Sequence, residues 1–176
     1  MRLVSAGCIL LLSAVAALAE EACKADFLPV LCMNVDVSGD MALKGATRTT
    51  TSAMSCAEWA NGNSPRGKGK LEFVSEFAPI GGTKFALEGQ ISDYGGPGTY
   101  DPERLADWGS PFMILTGETR WENWERVEAP LKAEMQISAD GSGSFTFEGF
   151  ITGHAAPPPY KSISGTVTWT CVDPAG

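Results

Sequence analysis

The sequence predicts an all-β fold: an antiparallel β-sandwich or small β-barrel of about 7–8 strands, stapled by disulfides. Three observations predict it. Apolar and polar residues alternate with period two in one segment after another. Glycine- and proline-rich turns separate those segments, and an even number of cysteines follows an export-type leader.

The leader comes first. Met1-Arg2 supplies one positive charge, and Leu3 to Ala19 then carries none. Ile9-Leu10-Leu11-Leu12 is its apolar centre, and Ala17-Leu18-Ala19 ends it as an A-x-A cleavage site before Glu20-Glu21. A transmembrane anchor fits less well, because the run is short and diluted by Ser5, Gly7 and alanines. Lipidation is disfavoured too. Cys8 follows Ser5-Ala6-Gly7 with no useful apolar stretch before it, and Cys23 follows Glu20-Glu21-Ala22, which places charge where a lipobox needs an apolar residue. The expected organisation is a signal peptide, 1–19, and a single all-β domain, 20–176. The mature protein is expected to be secreted or periplasmic, with no membrane span after cleavage.

Alternation dominates the rest. Met33, Val35 and Val37, then Met41 and Leu43, are separated by Asn34, Asp36, Ser38 and Asp40. The stretch Thr47–Ser55 reads as a polar connection. Leu71, Phe73 and Phe77 form the next apolar set, followed by Phe85, Leu87 and Ile91. Phe112-Met113-Ile114-Leu115 reads as a more buried strand. Leu131, Ala133, Met135 and Ile137 resume the pattern, and Phe145, Phe147 and Ile151 continue it. Ile163, Val167, Trp169 and Cys171 close the chain against Ser164, Thr166, Thr168 and Thr170. Strand side chains point alternately to opposite faces, so each segment offers one apolar and one wet face. Turns rich in glycine, Pro79-Ile80-Gly81-Gly82-Thr83 and Asp140-Gly141-Ser142-Gly143, supply the positive φ that hairpins need. Short helical turns are expected at 56–60 and at 101–106, the latter with Asp101 as N-cap and Pro102 behind it. Pro157-Pro158-Pro159 marks a stiff loop before the last strand.

Loss of the leader removes Cys8 and leaves Cys23, Cys32, Cys56 and Cys171. In an oxidising compartment these read as two disulfides, with three possible connectivities. Cys23–Cys32 with Cys56–Cys171 is preferred, because local closure of the first pair leaves the other two to tie the middle of the chain to its end. Zinc fits worse, since no C-x2-C pair occurs and His154 is the sole histidine. No metal site and no cofactor is expected.

The formal net charge is −8, and loss of Arg2 makes the mature chain one unit more negative. That surface repels phosphate backbones and anionic lipid, so nucleic acid is a poor partner. The one basic cluster, Arg66-Gly67-Lys68-Gly69-Lys70, reads as a solvated turn. No G-x-S-x-G elbow occurs, and His154 lacks partners for a triad. Carboxylates crowd two stretches, Glu118, Glu122, Glu125 and Glu128 in one and Asp101, Glu103 and Asp107 in the other. A glycosidase needs two carboxyls across a cleft; solvated charges that discourage edge pairing are the plainer reading.

Aromatics on apparent loops give the functional lead. Tyr94 and Tyr100 flank Gly95-Gly96-Pro97-Gly98-Thr99, Trp108 follows, and Trp121 and Trp124 bracket Glu122-Asn123. Flat rings beside carboxylates and amides suit sugars or an apolar partner patch. The alternative is that they fill the core or cover a barrel end.

Gly96-Pro97-Gly98-Thr99-Tyr100 after a strand, followed by the closing run from Ile163 to Cys171, resembles small exported bacterial β-proteins similar to the mycobacterial small lipoprotein antigens. The resemblance covers roughly residues 33–171. It implies a cysteine early in the domain paired with one that ends the last strand, in agreement with Cys56–Cys171. This chain departs from the group in lacking the lipidated cysteine and in adding Cys23 and Cys32. The group supplies no functional residues to transfer.

The expectation is therefore an exported, non-catalytic β-domain that binds a glycan, small ligand or protein partner through Tyr94, Tyr100, Trp108, Trp121 and Trp124. A carboxylate-dependent enzyme acting on a glycan and a structural, antigen-like surface protein are the alternatives.

Overall fold

Met33, Val35 and Val37 alternate with Asn34 and Asp36, and this alternation forms a strand whose apolar side is buried and whose polar side is wet. The computed structural model describes residues 23–64, 67–73, 78–91, 93–101, 113–122, 132–152 and 159–175. The leader, Phe77, Phe112, Leu131, His154 and residues 102–106 of the second expected helical turn lie outside them.

Strands β1 (Val30–Gly39) and β2 (Leu43–Thr50) precede a one-turn helix, α1 (Cys56–Ala60). Short strands β3 (Asn63–Ser64), β4 (Gly67–Lys68), β5 (Leu71–Phe73) and β6 (Ala78–Ile80) lead to β7 (Thr83–Ile91) and β8 (Gly98–Tyr100). Then come β9 (Met113–Thr116), β10 (Thr119–Glu122), β11 (Lys132–Ile137), β12 (Gly143–Thr152) and β13 (Ser162–Val172). An antiparallel sheet runs in the order β2-β1-β13-β12-β10-β9-β7-β5 and curls into a half-barrel. β12 serves two neighbours along one edge, β11 through 143–148 and β10 through Ile151 and Thr152. β6 hangs on β7 and lies against β2, where the Ile80 side chain occupies the space a Gly45 side chain would need. Among the described residues no ladder joins β6 to β2.

The inner face carries the core: Met33, Val35, Val37, Phe85, Leu87, Ile91, Ala133, Met135, Phe145, Phe147, Ile163, Val167 and Trp169 are all buried. The expected alternation fails within β12. Phe147 pairs with Gly165 and Phe150 with Ile163, so Glu148 and Gly149 together face the single residue Ser164. Gly149 adopts φ +68° there, and its N–H donates to Ser164 Oγ at 3.0 Å. This is a β-bulge. It moves Phe150, rather than Ile151, onto the inner face, where Phe150 packs against Phe145 and Phe147.

Two further expectations are corrected. Thr47–Thr50 is not a connection but the second half of β2, with Thr49 buried opposite Leu31. Threonines on the inner face hid the period, since their chemistry reads as polar while their branched shape suits a strand. The 94–100 stretch is likewise not all loop, because Gly98–Tyr100 pairs with Met135–Ile137.

One end of the half-barrel is plugged by α1. Ser55 caps it by accepting from the Glu58 N–H at 3.1 Å, and Cys56 joins Cys171 on β13. Trp59, Phe73 and Trp169 meet edge to face, with centroids 5.2–6.4 Å apart. Both indoles find carbonyls: Trp59 Nε1 donates to Glu72 O at 3.1 Å and Trp169 Nε1 to Gly141 O at 3.0 Å. The second disulfide, Cys23–Cys32, fastens the segment before β1 to the outer face of that strand. The preferred connectivity is the one observed.

Candidate functional site

Three of the five aromatics proposed from sequence fall on described residues, and all three are buried. Tyr94 and Tyr100 stack with centroids 5.1 Å apart. Tyr94 donates its hydroxyl to Ala60 O at 2.7 Å, and Tyr100 donates to Gly96 O. Burial, reinforced by Tyr100, pushes the Tyr94 phenol well above its ordinary value. These two rings brace the loop from within and do not offer faces to a partner. Trp121 is 3% exposed. Trp108 and Trp124 lie outside the described residues.

Trp121 nevertheless reaches a cleft. The turns after β1, between β6 and β7, and between β9 and β10 gather at the end of the half-barrel away from α1, as their registers require. There a cleft of about 490 Å³ is lined by Asp40, Met41, Thr116, Thr119, Trp121, Thr152, Pro159 and Lys161. Trp121 lies on the inner face of β10 directly across from Thr152 of β12. Its Nε1 donates to Thr116 Oγ1 at 2.7 Å. An indole N–H can only donate, so Thr116 is the acceptor and its own hydroxyl proton remains free to point elsewhere. Asp40 is held at the rim by the Ser162 N–H, which donates to Oδ2 at 2.7 Å, while the Asp40 N–H donates to Ser162 O at 2.9 Å. The Thr152 N–H donates to Lys161 O at 3.0 Å and holds Lys161 beside the cleft.

The arrangement thus combines three hydroxyls, one indole wall, and a carboxylate and an ammonium at the edge. Glu122, the neighbour of Trp121, points to the other side of the sheet. It is buried there, with Arg120 Nε at 3.0 Å from its Oε2. Glu118 and Asp101 are exposed, whereas Glu103, Asp107, Glu125 and Glu128 lie outside the described residues. The carboxylates that crowd the sequence are therefore not brought together in the cleft by the described residues. No group of three or more metal-ligating side chains occurs among the described residues, and no helix among them is long and apolar enough to cross a membrane.

Thr116, Thr119, Thr152, Asp40 and Lys161 were not foreseen as site residues. For Thr152 a signal existed: Phe147-Glu148-Gly149-Phe150 breaks the alternation at a glycine, which is how a bulge announces itself. Comparison with protein-family models, with curated proteins and with solved structures finds no match.

Proposed function

We propose that this is an exported, non-catalytic binding domain whose ligand occupies the cleft over Trp121. The observation that carries the reading is the placement of Thr116, Thr119 and Thr152 around an indole at the end of the half-barrel away from α1. Mouths of β-barrels are favoured ligand sites, and a volume near 490 Å³ suits a small molecule. Neutral hydroxyls that both donate and accept, set beside a ring, suit a saccharide better than an ion. Asp40 and Lys161 offset each other in charge and serve as polar anchors for ligand hydroxyls. The non-catalytic reading is supported by Asp40 being already committed to the Ser162 N–H. Two disulfides agree with an oxidising compartment, secreted or periplasmic.

The test is a titration with neutral oligosaccharides, followed by indole N–H resonances in NMR. Saturable shifts of the Trp121 indole, weakened about tenfold by Thr152→Val through loss of one hydrogen bond, are the expected outcome. Binding that leaves the Trp121 and Thr116 signals unmoved, or that Thr152→Val does not affect, would overturn the reading.

A further inference from the structure

The second opening in the wall lies where β6 faces β2 without a ladder. Ile80 closes the seam at Gly45, and beside it lies a crevice of about 380 Å³. Its apolar wall is formed by Ala46 on β2, Ala78 and Pro79 on β6, and the Cys23–Cys32 bridge on the outer face of β1. Pro79 brings no N–H to the crevice, so this stretch of β6 presents hydrocarbon instead of a donor. Asn34, Thr47, Arg48 and Thr170 interrupt the hydrocarbon. Arg48 is exposed at the rim, and one of its guanidinium nitrogens donates to Lys24 O at 2.9 Å; among the described residues it has no carboxylate partner. Thr47 Oγ1 is shielded from solvent and has no hydrogen-bond partner among the described residues.

We infer that this crevice is a second ligand site, and that it takes a small amphiphile bearing one carboxylate on a short apolar tail. The guanidinium fork matches a carboxylate bidentately, which a neutral or cationic ligand cannot exploit. The tail lies along Ala46, Ala78 and Pro79. The position of Arg48 is fixed from behind by the Lys24 carbonyl, so little side-chain freedom is lost when the anion arrives. In a chain with net charge −8, an arginine without an acidic partner among the described residues, beside an apolar slot, is a local reversal of the surface field. The crevice shares no lining residue with the cleft over Trp121, so the inference stands independently of that site.

The purified protein with both disulfides oxidised is titrated with sodium octanoate, and backbone and methyl resonances are followed by NMR. Octan-1-ol supplies the tail without the charge, and acetate the charge without the tail. Saturable octanoate shifts confined to Ala46, Arg48 and Ala78 are expected, with octan-1-ol and acetate each at least tenfold weaker. Arg48→Gln, at an exposed position that the fold does not need, weakens octanoate at least tenfold, and Ala46→Leu fills the slot and blocks it. The inference is overturned if octanoate does not saturate, if octan-1-ol binds equally well, if Arg48→Gln binds as the parent does, or if the shifts appear at Thr152.

Discussion

Thr152 stands directly across the β10–β12 ladder from Trp121, and it faces the cleft only because Gly149 inserts one extra residue into β12. Without the bulge, Phe145 and Phe147 would be followed inward by residues 149 and 151, and Thr152 would face outward. A single backbone irregularity thus sets both a core residue, Phe150, and a cleft residue.

Gly149 is therefore the most informative single position for stability. Its φ of +68° is strained for any residue with a Cβ, although the space around it is open. Gly149→Ala should cost about 1–2 kcal/mol, read as a lower urea midpoint at unchanged slope. Deletion of Gly149 removes the extra residue and leaves Phe150 facing inward by simple alternation, so it should be tolerated better than Gly149→Ala. No loss of stability in Gly149→Ala would contradict the bulge.

The two disulfides should differ in worth. Cys56–Cys171 spans 115 residues and Cys23–Cys32 spans 9. Loop-closure entropy assigns roughly 5 kcal/mol to the first and roughly 2.5 kcal/mol to the second. The double variant Cys56→Ala/Cys171→Ala should thus be much less stable than Cys23→Ala/Cys32→Ala, as denaturant titration of the two will show. Equal losses would mean that the long bridge does not restrain the denatured chain.

Trp169 joins β13 to the plug through its rings and its N–H. Trp169→Phe keeps most of the volume but strands the Gly141 carbonyl, at a cost of about 1–3 kcal/mol. Trp169→Ala should cost about 3–5 kcal/mol by opening a cavity against Trp59 and Phe73. Thermal and urea unfolding distinguish the two sizes of effect.

Alkaline pH offers a separate handle. The Tyr94 phenol is raised in the folded state, chiefly by burial. A raised folded value means that the unfolded chain loses this proton first. The associated stability is complete below the ordinary phenol value of about 10 and is lost as pH rises above it. One phenolate should therefore appear only together with alkaline unfolding in an ultraviolet titration. Tyr94→Phe should be less stable at neutral pH, through loss of the bond to Ala60 O, yet should lose less stability on going alkaline. Reversible ionisation of Tyr94 in the folded protein would refute this.

Strand content, the turns at 79–83 and 140–143 and the helical turn at 56–60 were legible in residue order, and the preferred one of three disulfide pairings is the one found. Alternation and glycine placement are local consequences of backbone sterics, so Met33-Asn34-Val35-Asp36-Val37 means the same thing in any fold. Where polar residues face inward, as Thr47 and Thr49 do, the same reasoning read a strand as a connection. The aromatics show the limit more sharply, because a ring in a glycine-rich stretch can brace the loop from within or face solvent. Tyr94 and Tyr100 do the first.

By itself, then, the sequence determined that this chain makes antiparallel sheet with wet and apolar faces and carries four cysteines suited to two disulfides. Tertiary structure alone decided which end α1 plugs, which phase β12 takes after Gly149, and so which hydroxyls meet Trp121. The physical reason is that a side chain's face depends on counting residues along a strand. Its neighbours, however, depend on the register between strands, and that register is set by contacts distant in the chain.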